Sequence, residues 1–169
     1  MRYLGLDLGT KTLGIAISDR TNTISSFMKV LRYNNDTLEL IDELPFKLTK
    51  AQLRVLEEID NDMESAKPMN RLLQGDVGSG KTIVSIIAAY KAVKCGYQAA
   101  IMAPTAILAT QHLESFTQIL GKYGINCELL VSNITKKRKE ELLQRLQAGE
   151  IDILIGTHAL LEENVVFKN

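Results

Sequence analysis

Gly75-Asp-Val-Gly-Ser-Gly-Lys-Thr82 is the stretch on which the reading of this chain turns. It satisfies the pattern G-x-x-x-x-G-K-[ST], with the short aliphatic run 71–74 before it and the long apolar run 81–95 after it. A strand that enters a glycine-rich loop and leaves as a helix is the setting in which this pattern carries chemistry. Glycines let the backbone wrap around phosphate groups, and the N–H groups at the helix start form an anion site. Gly75, Asp76, Val77, Gly78, Ser79 and Gly80 then form the cradle. Lys81 reaches the β- and γ-phosphates of a nucleoside triphosphate, and the Thr82 hydroxyl ligates Mg2+. A glycine-rich turn that binds nothing is the plainer alternative, and both flanking elements weigh against it.

Toward the C-terminus the texture alternates: strand 98–103, helix 106–123, strand 127–132, helix 135–148, strand 151–155. Strands separated by helices of this length imply βαβ units, hence an α/β fold with a mostly parallel sheet flanked by helices in three layers. Toward the N-terminus, Thr49 is suited to cap a helix over 50–63, where Leu53, Leu56 and Ile59 repeat at helical spacing. Before it come a short helix over 38–44 and a linker at Pro45-Phe46-Lys47. Breaks are expected at Asn34-Asn35-Asp36-Thr37 and at Lys67-Pro68. Residues 3–8 and 13–18 are aliphatic runs around Gly9-Thr10-Lys11-Thr12, which predicts a β-hairpin, with 26–33 as a third strand.

The 169 residues carry 20 basic and 20 acidic side chains and are 46% apolar, which excludes a disordered chain and removes the simplest reason to expect a nucleic-acid binder, a strongly basic domain. Cys95 and Cys127 are far apart and have no ligand-like spacing to His112 or His158, so they read as ordinary thiols rather than a zinc site. No apolar run approaches the ~20 residues of a membrane span. Asp7 and Lys11 interrupt any signal-peptide core, and a soluble cytoplasmic protein is expected.

Hydrolysis at a P-loop also needs a carboxylate at the end of a neighbouring strand. After Thr82 no apolar strand ends in Asp or Glu. The last strand runs into Gly156-Thr157-His158, and Glu162-Glu163 read as a solvated face. Lys136-Lys-Arg-Lys139 reads as a solvated helix face, or as a weak, salt-sensitive phosphate-attracting patch.

From about Leu44 to Asn169 the chain resembles the first motor domain of RecG-type ATP-dependent DNA helicases, with a RecA-like fold. The resemblance rests on Leu44-Pro-Phe-Lys-Leu-Thr-Lys-Ala-Gln52, on 68–82 with the P-loop, on Gly96-Tyr-Gln-Ala-Ala-Ile-Met-Ala-Pro-Thr105, on Leu108-Ala-Thr-Gln-His112 and on Gly149-Glu-Ile-Asp-Ile-Leu-Ile-Gly-Thr-His158. It implies that Gln52, with Phe46 nearby, recognises adenine, so that ATP with Mg2+ is the ligand. It also implies that Pro104, Thr105, Thr157 and His158 touch the sugar-phosphate backbone of DNA. The threonines are equally suited to capping helices. The resemblance further implies a magnesium motif and a second motor domain beyond Asn169, so ATP binding is expected here and translocation is not.

Met1-Arg-Tyr-Leu-Gly-Leu-Asp-Leu-Gly-Thr-Lys-Thr-Leu-Gly-Ile-Ala-Ile-Ser-Asp19 resembles instead the start of the YqgF/RuvX family of RNase H-like nucleases. That resemblance makes Asp7 a metal-binding, catalytic carboxylate. The family's later acidic motifs have no counterpart here, so nuclease activity is not expected. The chain therefore reads as an engineered chimera: a fragment over 1–35, a junction over 36–43 and a P-loop domain over 44–169, forming one composite domain. Residues 3–8 or 13–18 are expected to complete the sheet beside the P-loop strand; docked there in parallel, 3–8 would bring Asp7 toward the magnesium site. A homodimer through an incomplete sheet edge is the expected alternative for covering that edge.

Overall fold

In the computed structural model the residues described are 4–8, 12–17, 35–65 and 69–168, the N-terminal strands by their backbone. The hairpin is β1 (Leu4–Leu8) and β2 (Thr12–Ile17), followed by α1 (Asn35–Asp42) and α2 (Lys50–Glu64). Then strand and helix alternate: β3 (Asn70–Gln74), α3 (Lys81–Lys94), β4 (Ala99–Met102), α4 (Ala106–Leu120), β5 (Cys127–Leu130), α5 (Lys136–Ala148) and β6 (Ile153–Gly156).

Local chemistry accounts for the helix starts. Thr49, Thr105 and Thr135 each precede a helix in extended backbone, and each hydroxyl oxygen accepts the N–H three residues on. At Thr49 the Gln52 side chain returns the bond and closes a capping box. Cys95 ends α3 as its cap, one residue short of the expected end. The break expected at Asn34–Thr37 is overturned: α1 begins at Asn35, because turn-forming Asn and Asp side chains serve equally well in the first turn of a helix. Strand β6 begins at Ile153 rather than Ile151, since Asp152 turns aside and its carboxylate accepts the Asn126 N–H at 2.8 Å. The expected strand over 26–33 and the break at Lys67-Pro68 lie outside the described residues.

The sheet has the order β3-β2-β1-β4-β6-β5. β1 pairs parallel with β4, β4 with β6 and β6 with β5, while β2 is antiparallel to both β1 and β3. Every strand but β2 therefore points the same way. The hairpin does enter the sheet, yet β2 is the strand that pairs with β3. β1 lies beyond it, pairing with β4 from Leu4↔Ala99 to Asp7↔Met102. Of the two runs expected to fill the place beside the P-loop strand, 3–8 or 13–18, the second takes it, and the parallel docking of 3–8 against β3 is corrected: with β1 against β4, the run from β1 to β5 stays uniformly parallel and the antiparallel step is confined to β2.

Helices α1 to α4 cover one face. α3 is buried nearly all round and packs against α1, α2 and α4 while crossing β1, β2 and β4. Its core is shared by Leu56, Ile59, Met63, Ile86, Phe116 and Ile101. On the other face α5 and the segment 159–167 close a smaller core of Leu130, Leu142, Leu146, Leu154 and Phe167. Gly156 is required where these meet, because a Cβ there would strike the Leu130 carbonyl. Buried Gln98 ties the second layer together. Its Nε2 donates to the Leu146 and Ile151 carbonyls at 3.0 and 2.6 Å, and its Oε1 accepts the Lys168 N–H at 2.7 Å.

Candidate nucleotide site

The loop between β3 and α3 is shaped by its last glycine. Gly80 adopts φ 78°, ψ 32°, the left-handed region that glycine enters without steric cost, and a Cβ there would collide with the Gln52 amide. Lys81 folds back over the loop: its Nζ donates to the Gly75 and Asp76 carbonyls at 2.8 and 2.7 Å and reaches Ser79 Oγ at 3.5 Å. The ammonium is thus held over the concave side of the loop. Thr82 stands half-buried on the first turn of α3.

Gln52 joins the cap of α2 to this loop. Its Oε1 accepts the Thr49 N–H at 2.8 Å, while its Nε2 donates to the Ser79 and Gly80 carbonyls at 3.2 and 3.4 Å. A cavity of about 180 Å³ opens between them, lined by Thr49, Gln52, Leu73, Gly75, Ser79 and Lys81. Phe46 is not part of it. That ring is 47% exposed and lines a separate groove of about 520 Å³ with Ile41, Leu44 and Leu53. Asp7 sits on β1 at the register position between Gly14 of β2 and Met102 of β4, two strands from β3.

Sequence reasoning missed what holds α2 in place. Arg71, on the P-loop strand, donates to Glu58 at 2.5 Å and to Asp62 at 2.7 Å. The hydrogen bond to Asp62 leads the effects that raise its pKa. Lys91, on the P-loop helix, is buried and donates to Asp60 at 2.5 Å, with Glu64 at 3.8 Å. The run of acids Glu57, Glu58, Asp60, Asp62 and Glu64 was the available signal, although nothing local names their partners.

The resemblance-derived backbone contacts are brought together. Met102 and Gly156 are register partners, and the Ala103 N–H donates to the Gly156 carbonyl at 2.8 Å, so Pro104-Thr105 and Thr157-His158 leave adjacent strand ends. Pro104, Thr105 and His158 are exposed. Thr105 is a helix cap, its Oγ1 accepting the Leu108 N–H at 3.3 Å. Thr157 starts the 3-10 turn His158–Leu161 with no side-chain cap bond, so capping does not account for it. The basic run is largely neutralised. Arg138 pairs with Glu128 and Glu141, Lys139 with Glu162, and Lys136 lies 4.0 Å from Glu140. Burial pushes the Cys95 thiol up and carries Cys127, also beside Asp152, to about 12. Both thiols are therefore poor nucleophiles. No helix among the described residues is long and apolar enough to cross a membrane.

The fold and the loop define a P-loop α/β domain with its ligand edge at the carboxyl ends of parallel strands. Residues 49–169 match the DEAD/DEAH box helicase family, and the chain belongs to that family. Among its relatives, ATP-dependent DNA helicase RecG of Bacillus subtilis (strain 168) is 56% identical over 135 residues, covering 80% of this chain and 20% of the relative. RecG of Aquifex aeolicus (strain VF5) is 51% identical over 129 residues, 76% of this chain and 16% of that protein. A structure of RecG bound to a three-way DNA junction superposes with a TM-score of 0.80 at 47% identity, over 85% of this chain and 20% of that one. The chain thus spans about a fifth of the length of these relatives, and its matched part is a RecG-like helicase domain.

Proposed function

We propose that this domain binds ATP with Mg2+ in the loop Gly75–Thr82 and presents Pro104, Thr105, Thr157 and His158 to a DNA backbone. The observation that carries the reading is the cradle itself: a left-handed Gly80, the Lys81 ammonium folded over the loop carbonyls, and Gln52 closing the side. That donor set suits a triphosphate, since the backbone N–H groups and the ammonium offer positive charge while the Thr82 hydroxyl offers a hard oxygen to the cation. Bound Mg2+ would neutralise charge on the β- and γ-phosphates. Lys81 would exchange its two carbonyl partners for phosphate oxygens, and the α3 N-terminus would face them. The relatives' name, ATP-dependent DNA helicase, supports the choice of nucleotide and of nucleic acid.

Within this reading Asp7 is the candidate for a magnesium-holding carboxylate, on a strand parallel to β3 and two strands from it. Its strand ends on the same sheet edge as the loop, and Asp7→Asn weakening magnesium-dependent ATP affinity would bear the assignment out. Residues 1–35 are read as a segment of RNase H-like origin, and residues 36–43, which fall largely within α1, as the junction to 44–169.

Thermal unfolding with and without magnesium-ATP tests the main reading. Nucleotide at one hundred times its Kd adds about 2.7 kcal/mol to stability, and Lys81→Ala abolishes the shift. A cooperative melt with no shift would make the chain a folded scaffold without its ligand. A second reading, an ATPase domain completed by parts supplied in trans, is favoured by the uncapped Thr157 on the exposed edge. It predicts ATP turnover stimulated by DNA once those parts are added.

A further inference from the structure

The three parts of the P-loop unit are each tied to α2 by a polar contact. Arg71 on the incoming strand meets Glu58 and Asp62, the Ser79 and Gly80 carbonyls of the loop meet Gln52, and Lys91 on the outgoing helix meets Asp60. α2 and α3 therefore both start at the loop and run side by side. They are joined near the loop by Gln52 and again about 12 Å further along α2, at 1.5 Å per residue, by Asp60. Between these points the contact is apolar, with Leu56 and Ile59 of α2 in one core with Ile83 and Ile87 of α3.

Apolar packing is non-directional and tolerates sliding. A buried ion pair does not, because displacing it strands a charge in the interior. We propose that Asp60 and Lys91 are positioning residues of the nucleotide site. The pair fixes the register of α2 along α3 and thereby holds the Gln52 amide against the Ser79 and Gly80 carbonyls. The proposal rests on the nucleotide reading for its functional consequence, while its geometric content concerns the loop alone. Stability by itself does not require a charge pair here, since replacing both partners with apolar side chains of similar volume is often neutral or stabilising. What such a replacement removes is the register.

The test uses the full chain and the double variant Asp60→Leu/Lys91→Met, which leaves no unpaired charge from the pair. Unfolding by urea shows whether it folds. Amide NMR spectra of the nucleotide-free protein then report the Gln52 side-chain amide and the Ser79 and Gly80 backbone, and titration with a non-hydrolysable ATP analogue reports affinity. The expected result is a cooperatively folded variant with displaced or broadened Gln52 and Gly80 resonances and roughly tenfold weaker binding, about 1.4 kcal/mol. That loss should largely vanish when measured in a Gln52→Ala background, because the pair acts through Gln52. A folded double variant with unchanged resonances, or affinity losses that add fully with Gln52→Ala, overturns the proposal. If the double variant fails to fold, Asp60→Glu keeps it falsifiable: the longer carboxylate retains the charge but shifts the contact, so unchanged Gln52 and Gly80 resonances in a folded Asp60→Glu protein overturn it equally. Wild-type protein that binds no analogue, yet shows the displaced resonances in the variant, would sink the nucleotide reading and leave the positioning intact.

Discussion

Strands β6 and β3 are built on opposite principles. All four residues of β6 are buried, sandwiched between α4 on one face and the smaller core on the other. Along β3, Asn70, Leu72 and Gln74 are exposed and only Arg71 and Leu73 are half-buried, with Leu72 69% exposed on a face that no helix among the described residues covers. β6 is held by apolar area; β3, which delivers the P-loop, is held by hydrogen bonds to β2 and by charged links to α2. The site end of the sheet thus depends on directional contacts, and the far end on burial.

Substitutions can break or sharpen that contrast. Asp60→Ala should be the most damaging. It takes the Asp60 carboxylate away from the buried Lys91 ammonium, and should cost about 3–5 kcal/mol in urea denaturation. Leu154→Ala, at the fully buried strand, should cost about 2–5 kcal/mol by cavity formation, while Leu72→Ala on β3 should stay within about 0.5 kcal/mol. Equal losses at Leu154 and Leu72 would erase the distinction between the two strands. Thr49→Ala removes the α2 cap and should cost about 1 kcal/mol. It should also weaken nucleotide binding more than Thr135→Ala, an equivalent cap on α5 remote from the loop.

The smallest effect concerns pH. Cys127 titrates near 12 in the folded chain because burial disfavours its thiolate, against ~8.5 unfolded. Its contribution to stability is therefore complete below about pH 8.5 and is lost as pH rises toward 12. Alkylation at pH 8.5 should be slow in native protein and fast in urea. His112, whose pKa burial lowers, acts at the other end. Below its unfolded value of ~6.5 the unfolded chain takes up the proton first, so stability declines as pH falls.

Much of the candidate site's local structure could be read from the residues in order. The glycines, Lys81 and Thr82 are one continuous motif, and the three threonine caps fall where short polar side chains precede apolar periodicity. The aliphatic runs around Gly9 to Thr12 predicted the hairpin. Of the two residues that the resemblance assigns to adenine, Gln52 reaches the loop and Phe46 lines a neighbouring groove, a separation that no local pattern records. Asn35 to Thr37 misled because the same side chains favour turns and helix starts, and only packing of Leu40 into the core decides between them.

The sequence by itself determined which segments are strands, loops and capped helices, and which loop suits phosphate, because backbone preference and capping act over a few residues. The tertiary structure decided what those preferences leave open. It seated β2 and β1 between β3 and β4, brought Thr105 and Thr157 to adjacent strand ends, and joined Asp60 to Lys91 across 31 residues. Such pairings are set by which faces bury together, and no local pattern records them.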